Sequence, residues 1–300
     1  SIKMEITLLD GAIGQELVNR SGDKPTESWS TSVMLENPGL LDLVHAEYFS
    51  VGASVATTNT YALLFDQLKR VGLQGQIDEL WSVAIKAAKD ARDNHGSGRV
   101  AGSIGPLMAS YRPDICPPAQ EAAKQYADIV AALSPMVDVL LIETMSSVDQ
   151  AEGALIAACT SIKPVWLSVT VDDDDGTRLR SGELVSDLKP MMSRYQVDAV
   201  LVNCSRPEAI GDGLEVLKST GLPIGAYGNG FTRISDDYLQ DNPTVSALER
   251  RIDLSPADYA GFAMSWIGQG ATILGGCCEV GPAHIDELAR IIIKDGHVIV

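Results

Sequence analysis

Short apolar, β-branched runs alternate with longer stretches of helical spacing from one end of the chain to the other. Eight runs read as strands, at residues 6–12, 53–59, 99–104, 137–143, 165–171, 199–204, 223–227 and 272–276. Helix-like stretches at 76–93, 119–133, 148–159, 184–195, 207–219, 256–269 and 282–294 lie between them. The first of these puts Ile77, Leu80, Trp81, Ala84, Ile85 and Ala88 on one face, the spacing of an amphipathic helix. Pro207, Pro256 and Pro282 stand where a first helical turn tolerates a missing N–H. Such alternation implies parallel strands joined by right-handed crossovers. A doubly wound sheet and a closed barrel both satisfy it. Eight repeats in 300 residues favour the (β/α)8 TIM barrel, typically ~250 residues long. No low-complexity linker divides the chain, so residues 1–300 read as one barrel domain.

The composition is globular, 45% hydrophobic and 21% charged, which excludes a disordered chain. Lys and Arg number 23 against 40 Asp and Glu, a net charge of −17. With the basic residues scattered, a phosphate backbone is repelled, so no nucleic-acid partner is expected. No apolar run reaches the roughly 18–20 residues of a membrane helix, and Ser1 to Glu16 lack a secretory pattern. Five cysteines, at 116, 159, 204, 277 and 278, are too few and too unevenly placed for a disulfide framework. Reduced thiols in the cytoplasm are the expectation.

Polar, small or sulfur-bearing residues gather where the strands end: Asp10-Gly11-Ala12, Thr57-Thr58-Asn59-Thr60-Tyr61, Gly102-Ser103, Glu143-Thr144, Asn203-Cys204-Ser205, Tyr227-Gly228-Asn229-Gly230 and Gly275-Gly276-Cys277-Cys278. In a barrel all those ends face one mouth, where active sites sit. The longest irregular stretches, 19–35, 106–118, 172–182 and 229–254, follow strand ends too. The acidic run 172–175 within them reads as a solvated loop.

Cys204, Cys277 and Cys278 fall on the sixth and eighth strand ends. Three thiolates suit a zinc site that keeps its fourth position open, although an isolated Cys pair is more often a buried apolar one. The two glycines before Cys277 would let the backbone turn so that both sulfurs face one ion. Cys159, among alanines, reads as core, and Cys116 as incidental. His45, His95, His284 and His297 lie away from strand ends, which disfavours a histidine-based site. Glu143 closes an apolar strand; it either faces the mouth or caps the next helix. Asp10 is a site acid or a turn former before Gly11. Trp29 is a packed lid or a wall for a cation. An aldolase-like barrel would need a Lys at a strand end, but Lys163 precedes a strand and Lys189 lies in a helix.

Taken in order, Asp10-Gly11-Ala12 with Gly14 and Glu16-Leu17, Trp29-Ser30, Glu36-Asn37-Pro38, Thr58-Asn59-Thr60-Tyr61, Glu143-Thr144, Asn203-Cys204-Ser205 and Gly275-Gly276-Cys277-Cys278 resemble the zinc-dependent homocysteine S-methyltransferase family. That family includes S-methylmethionine-, S-adenosylmethionine- and betaine-dependent enzymes and the homocysteine module of cobalamin-dependent methionine synthase. The resemblance spans residues 9–285. It implies that residues 1–300 form a homocysteine-binding barrel, with Zn2+ on Cys204, Cys277 and Cys278. It also implies that homocysteine is held by backbone amides near Gly11 and Ala12, by Glu143 and by Asp10. Trp29, Tyr61 and Asn203 match or flank the donor side. The chain departs from the betaine branch at Thr58, Thr60 and Thr144, where that branch carries aromatics, and Gln15 replaces a residue often Thr or Ala.

The expected reaction moves a methyl group from a sulfonium donor, S-methylmethionine or S-adenosylmethionine, to the homocysteine thiol, giving methionine. Zinc activates the thiol, and no separate protein acid or base is needed, because the leaving thioether departs uncharged. Betaine or dimethylsulfoniopropionate as donor, a methylcorrinoid partner protein, or a zinc-holding barrel without catalysis are the competing readings. A second thiol acceptor and any oligomeric state stay open.

Overall fold

The structure is a computed structural model that describes residues 2–22, 29–231 and 253–300. Eight parallel strands form the wall: β1 (Glu5–Leu8), β2 (Val55–Thr57), β3 (Arg99–Ile104), β4 (Val139–Met145), β5 (Val165–Val169), β6 (Ala199–Asn203), β7 (Ile224–Gly228) and β8 (Ile273–Gly276). Each pairs with its sequence neighbour from β2 to β8, and β8 pairs with β1. A parallel bridge between Leu9 and Val55 joins β1 to β2 and closes the ring. This is the barrel the alternation predicts. All eight expected strands are present: β3 has the expected bounds, β4 and β7 keep their expected lengths but lie two residues and one residue further along the chain, and the other five are shorter than expected.

Period-two alternation decides what fills the barrel. Val55, Ala101, Leu141, Trp166, Leu201 and Ile273 cluster inside it. Their neighbours Val100, Leu140, Ile142, Leu167, Val200 and Val202 join the larger core under the helices. Both faces of every strand are therefore buried, which is why these strands read as continuous apolar runs.

The helices are α1 (Gly14–Ser21), α2 (Trp29–Glu36), α3 (Pro38–Ser50), α4 (Phe65–Arg70), α5 (Ile77–His95), α6 (Ala119–Leu133), α7 (Val148–Ala158), α8 (Leu188–Met192), α9 (Pro207–Leu217), α10 (Pro256–Gly268) and α11 (Pro282–Lys294). On α5 the expected face is buried at Leu80, Trp81, Ala84, Ile85 and Ala88, and Gly96 ends the helix in a left-handed conformation, φ 88°.

The helices α1 to α4 were not legible in the sequence. The stretch 19–35, expected to be irregular, instead contains the end of α1 and most of α2. The single helix expected over 184–195 is a 3₁₀ turn, Val185–Asp187, followed by the short α8. Pro190 is the reason: it has no N–H to bond back into residue 186, so no α-helical ladder runs through from 184. The loop after β5 is a folded hairpin, bridged at Val171–Leu179 and Arg178–Leu184. The stretch 106–118 includes one 3₁₀ turn, Pro113–Ile115. Most of 229–254 lies outside the described residues. The apolar tail, open in sequence to packing on the barrel or on another subunit, forms β9 (Val298–Ile299) beside Glu5 and Ile6 of β1. Among the described residues no helix is long and apolar enough to cross a membrane.

Candidate active site

The tips of β6 and β8 flank that of β7. The Cys204 N–H donates to the Tyr227 carbonyl (3.1 Å) and the Cys277 N–H to the Gly228 carbonyl (2.9 Å). Cys204, Cys277 and Cys278 thus bring their sulfurs within 4.8 Å of one another. Cys204 and Cys277 are joined by a disulfide, with Cα atoms 5.4 Å apart, whereas the sequence pointed to reduced thiols throughout. The reason is the barrel itself, which brings two strand tips 73 residues apart to one place. Cys116 and Cys159 are half-buried and outside the group. The glycines before Cys277 serve close packing rather than a turn, since neither has a positive φ. A Cβ on Gly276 would sit 2.0 Å from the Val280 side chain, and one on Gly275 would sit 2.6 Å from Leu9.

Two acids share the mouth with the sulfurs. Asp10 is buried; it accepts hydrogen bonds from the Thr57 N–H and the Thr57 hydroxyl, both at 2.8 Å. Burial pushes its carboxyl up to about 7 against the pull of those bonds, and the Glu143 charge adds to the rise. Glu143 accepts from the Ser103 hydroxyl and from the Tyr227 hydroxyl, the latter at 3.0 Å. Burial raises its carboxyl too, and both donors oppose it. Tyr227 lies 2.9 Å from Ser168 as well; burial first, then the Glu143 charge, holds its phenol well above its ordinary range. Of the two roles open to Glu143, capping is taken by Ser147, whose hydroxyl accepts from the Gln150 N–H at the start of α7.

Alternation turns Glu143 inward, two residues beyond Leu141, and around it β4 carries a register shift between Ile142 and Met145, with Thr144 left-handed at φ 61°. Asn203 secures that bulge: it accepts from the Thr144 N–H (3.0 Å) and donates to the Thr144 hydroxyl (2.9 Å). Its amide is thereby committed to the wall. The Ala12 N–H is also committed, donating to the Val280 carbonyl at 2.8 Å. Gly11 packs so closely that a Cβ would lie 2.1 Å from that carbonyl. Tyr61 is hydrogen-bonded to Ser110 at 2.6 Å; burial raises its phenol, and the charges of Glu143 and Cys278 contribute. Trp29 opens α2, and its side chain lies outside the described residues.

Thr57, Ser103, Ser168 and Tyr227 went unassigned in the sequence. The period-two count finds the first three: each stands two residues beyond an inward apolar residue, Val55, Ala101 or Trp166. Asn229, at the tip of β7, is fully buried, and both polar atoms of its amide lack a hydrogen-bond partner among the described residues. A buried, unsatisfied amide is costly and calls for a partner such as a ligand or water. In reduced form, three sulfurs of this spacing beside it fit a divalent, thiophilic metal with one position left for a ligand.

A family model described as homocysteine S-methyltransferase matches residues 7–292. Homocysteine S-methyltransferase of Escherichia coli (strain K12) is 30% identical over 305 residues, 95% of each chain. Homocysteine S-methyltransferase YbgG of Bacillus subtilis is 26% identical, over 95% of this chain and 93% of the relative. The metallated form of the homocysteine methyltransferase MmuM from Escherichia coli superposes with a TM-score of 0.81 at 27% identity, covering 96% of this chain and 97% of that one. With a barrel mouth of three converging sulfurs and two buried carboxylates, the chain belongs to the homocysteine S-methyltransferase family and is a methyltransferase.

Proposed function

We propose that residues 1–300 form one homocysteine-binding barrel that transfers a methyl group from S-methylmethionine or S-adenosylmethionine to homocysteine, giving methionine. The observation that carries this reading is the gathering of the Cys204, Cys277 and Cys278 sulfurs within 4.8 Å, beside Asp10 and Glu143. The three thiolates of Cys204, Cys277 and Cys278 would hold Zn2+, which when bound would supply the Lewis acidity that favours the thiolate form of homocysteine. A reducing compartment, the cytoplasm, keeps these sulfurs available as ligands.

Glu143 and Asp10 receive the homocysteine ammonium. Both carboxyls are raised by burial, and a cation placed beside them offsets that cost. Ser103 and Tyr227 fix where Glu143 points. Gly11 brings backbone to the amino-acid end of the substrate, whereas the Ala12 N–H is spent on the Val280 carbonyl. Trp29 and Tyr61 bound the donor side, and Asn203 supports it through Thr144. The new S–CH3 bond forms as the donor C–S bond breaks; the electron pair stays on the donor sulfur, which leaves as a neutral thioether. The thiol proton goes to solvent. No side chain need act as acid or base, and alignment of the two reactants supplies most of the acceleration. Both partners are small molecules.

Zinc content of the reduced protein, alongside Cys278→Ala, tests this together with methionine formation from a donor panel. S-methylmethionine, S-adenosylmethionine, betaine and dimethylsulfoniopropionate make up the panel. The expected result is about one zinc per chain, the number that a single set of three thiolates holds. Zinc and turnover are lost together in the variant, and a sulfonium donor is fastest. Zinc without turnover on any donor overturns the donor assignment in favour of a methylcorrinoid partner. Absence of zinc overturns the metal reading.

A further inference from the structure

We propose that Thr170 and Arg180 form a clamp on the Cys204 peptide that positions its sulfur for the metal; this rests on the thiolate-metal reading above. Cys204 has φ 44°, a left-handed conformation that a residue with a Cβ keeps only when its surroundings hold it there. Its sulfur is tied to Cys277 by the disulfide; once that bond is reduced, the holding groups left are its two peptide ends. Its N–H is spent on the Tyr227 carbonyl (3.1 Å). Its carbonyl accepts from the Thr170 hydroxyl at 3.0 Å and from Arg180 Nη2 at 3.4 Å.

Proton accounting fixes the direction of these bonds. Arg180 Nε can only donate, and it lies 2.9 Å from Thr170 Oγ1. The Thr170 oxygen therefore accepts there, and its single hydrogen is left for the Cys204 carbonyl. Ser205, 3.3 Å from Thr170, does not compete for that carbonyl. It accepts from the Val171 N–H (3.0 Å) and spends its own hydrogen on the Asn203 carbonyl (2.8 Å).

Arg180 is itself held on two further sides. Its guanidinium stacks on the Tyr111 ring, 4.7 Å from the centroid, and pairs with Asp173 at 3.3 Å. Their side chains are only 11% and 17% exposed, so this ion pair is screened less than a surface one. Tyr111 in turn packs in one small cluster with Cys204, Cys277 and Cys278. The clamp thus ties the loops after β3, β5 and β6 together behind one ligand. It gives Asp173, in an acidic run read from sequence as solvated, a structural task. Loss of the carbonyl's donors lets the Cys204 backbone relax toward negative φ and swings its Cβ away from the other two sulfurs.

The test uses the full reduced chain and four variants: Thr170→Val, Thr170→Ser, Arg180→Met and Arg180→Lys. Zinc affinity is read by competition with a chelator, ligand geometry by the thiolate-to-metal charge-transfer bands of the Co2+ form, and folding by thermal melting. Outer-sphere partners of metal ligands typically contribute about 10–100-fold in affinity. A loss in that range is expected for Thr170→Val and Arg180→Met, with weakened charge-transfer bands and a retained melting transition. Thr170→Ser keeps the hydroxyl and restores wild-type values; Arg180→Lys, lacking the fork, restores them in part. Wild-type affinity and spectra in both Thr170→Val and Arg180→Met overturn the clamp, as does a Thr170→Ser loss equal to that of Thr170→Val. Should Thr170→Val not fold, Arg180→Met decides alone. A wild-type chain that binds neither zinc nor cobalt overturns the metal reading itself, a different result from metal binding indifferent to the clamp.

Discussion

Asp10 and Glu143 are acids in a place that penalises charge, and the Glu143 charge adds to the cost at Asp10. For Asp10 the folded value, about 7, stands above the ordinary 3.8. Between those values the folded chain holds a proton that the unfolded chain has released, so stability falls as pH rises from about 4 to about 7 and is level above. Asp10→Asn should remove that slope from melting temperatures recorded across the window; an unchanged slope would assign it to other groups. On the proposed function, Glu143→Gln removes the charge that would meet the substrate ammonium. A charge-assisted bond contributes about 1.5–3 kcal/mol, so kcat/KM for homocysteine should fall roughly 10–100-fold, mostly through KM. Tyr227→Phe, which takes one donor from Glu143 and leaves the carboxylate, should cost less. Wild-type KM in Glu143→Gln would remove that residue from homocysteine binding. At this scale the sequence was partly legible: Glu143 stood out because a carboxylate ended an apolar strand. Thr170 and Arg180 did not, because a Thr and an Arg in a polar loop look like solvated residues until the fold sets them against a carbonyl.

The strand tip is the element on which the site depends. β8 can bring Cys277 to the mouth because Gly275 and Gly276 let it lie against Leu9 and Val280. Gly276→Ala forces a methyl to within 2.0 Å of Val280, and overpacking of this kind costs about 1–3 kcal/mol. It should lower the urea midpoint and, since the next residue is a proposed ligand, lower the zinc content of the folded fraction. Full zinc loading with unchanged stability would show that the tip has slack. Leu141 lies a layer below, inside the barrel. Leu141→Ala should cost about 2–5 kcal/mol, read by denaturant unfolding, yet leave metal stoichiometry unchanged in the folded protein. Strands were legible here because burial on both faces makes them continuous apolar runs. The helices α2 and α3 were not: Val33, Met34, Leu41, Val44, Tyr48 and Phe49 are all buried, and such wide burial blurs the 3.6-residue period.

Across the whole molecule, the barrel separates stability from chemistry. β9 pairs with Glu5 and Ile6, at the opposite end of β1 from Asp10. Removal of residues 296–300 should lower the melting temperature by roughly 2–4 °C, the shift expected for about 1 kcal/mol, without loss of zinc or of methyl transfer. Loss of zinc on that truncation would mean that the two ends of the barrel are coupled. The sequence by itself determined the architecture, because an eightfold alternation of strand and helix has few right-handed solutions. It also picked out the three cysteines whose sulfurs gather within 4.8 Å, because Asn-Cys and Gly-Gly-Cys-Cys close strands that end at one mouth. Only the tertiary structure decided how Cys204 and Cys277 meet, which hydroxyls hold Glu143, and what keeps Cys204 left-handed. Those are contacts between residues tens of positions apart, and a sequence lists such residues without placing one beside the other.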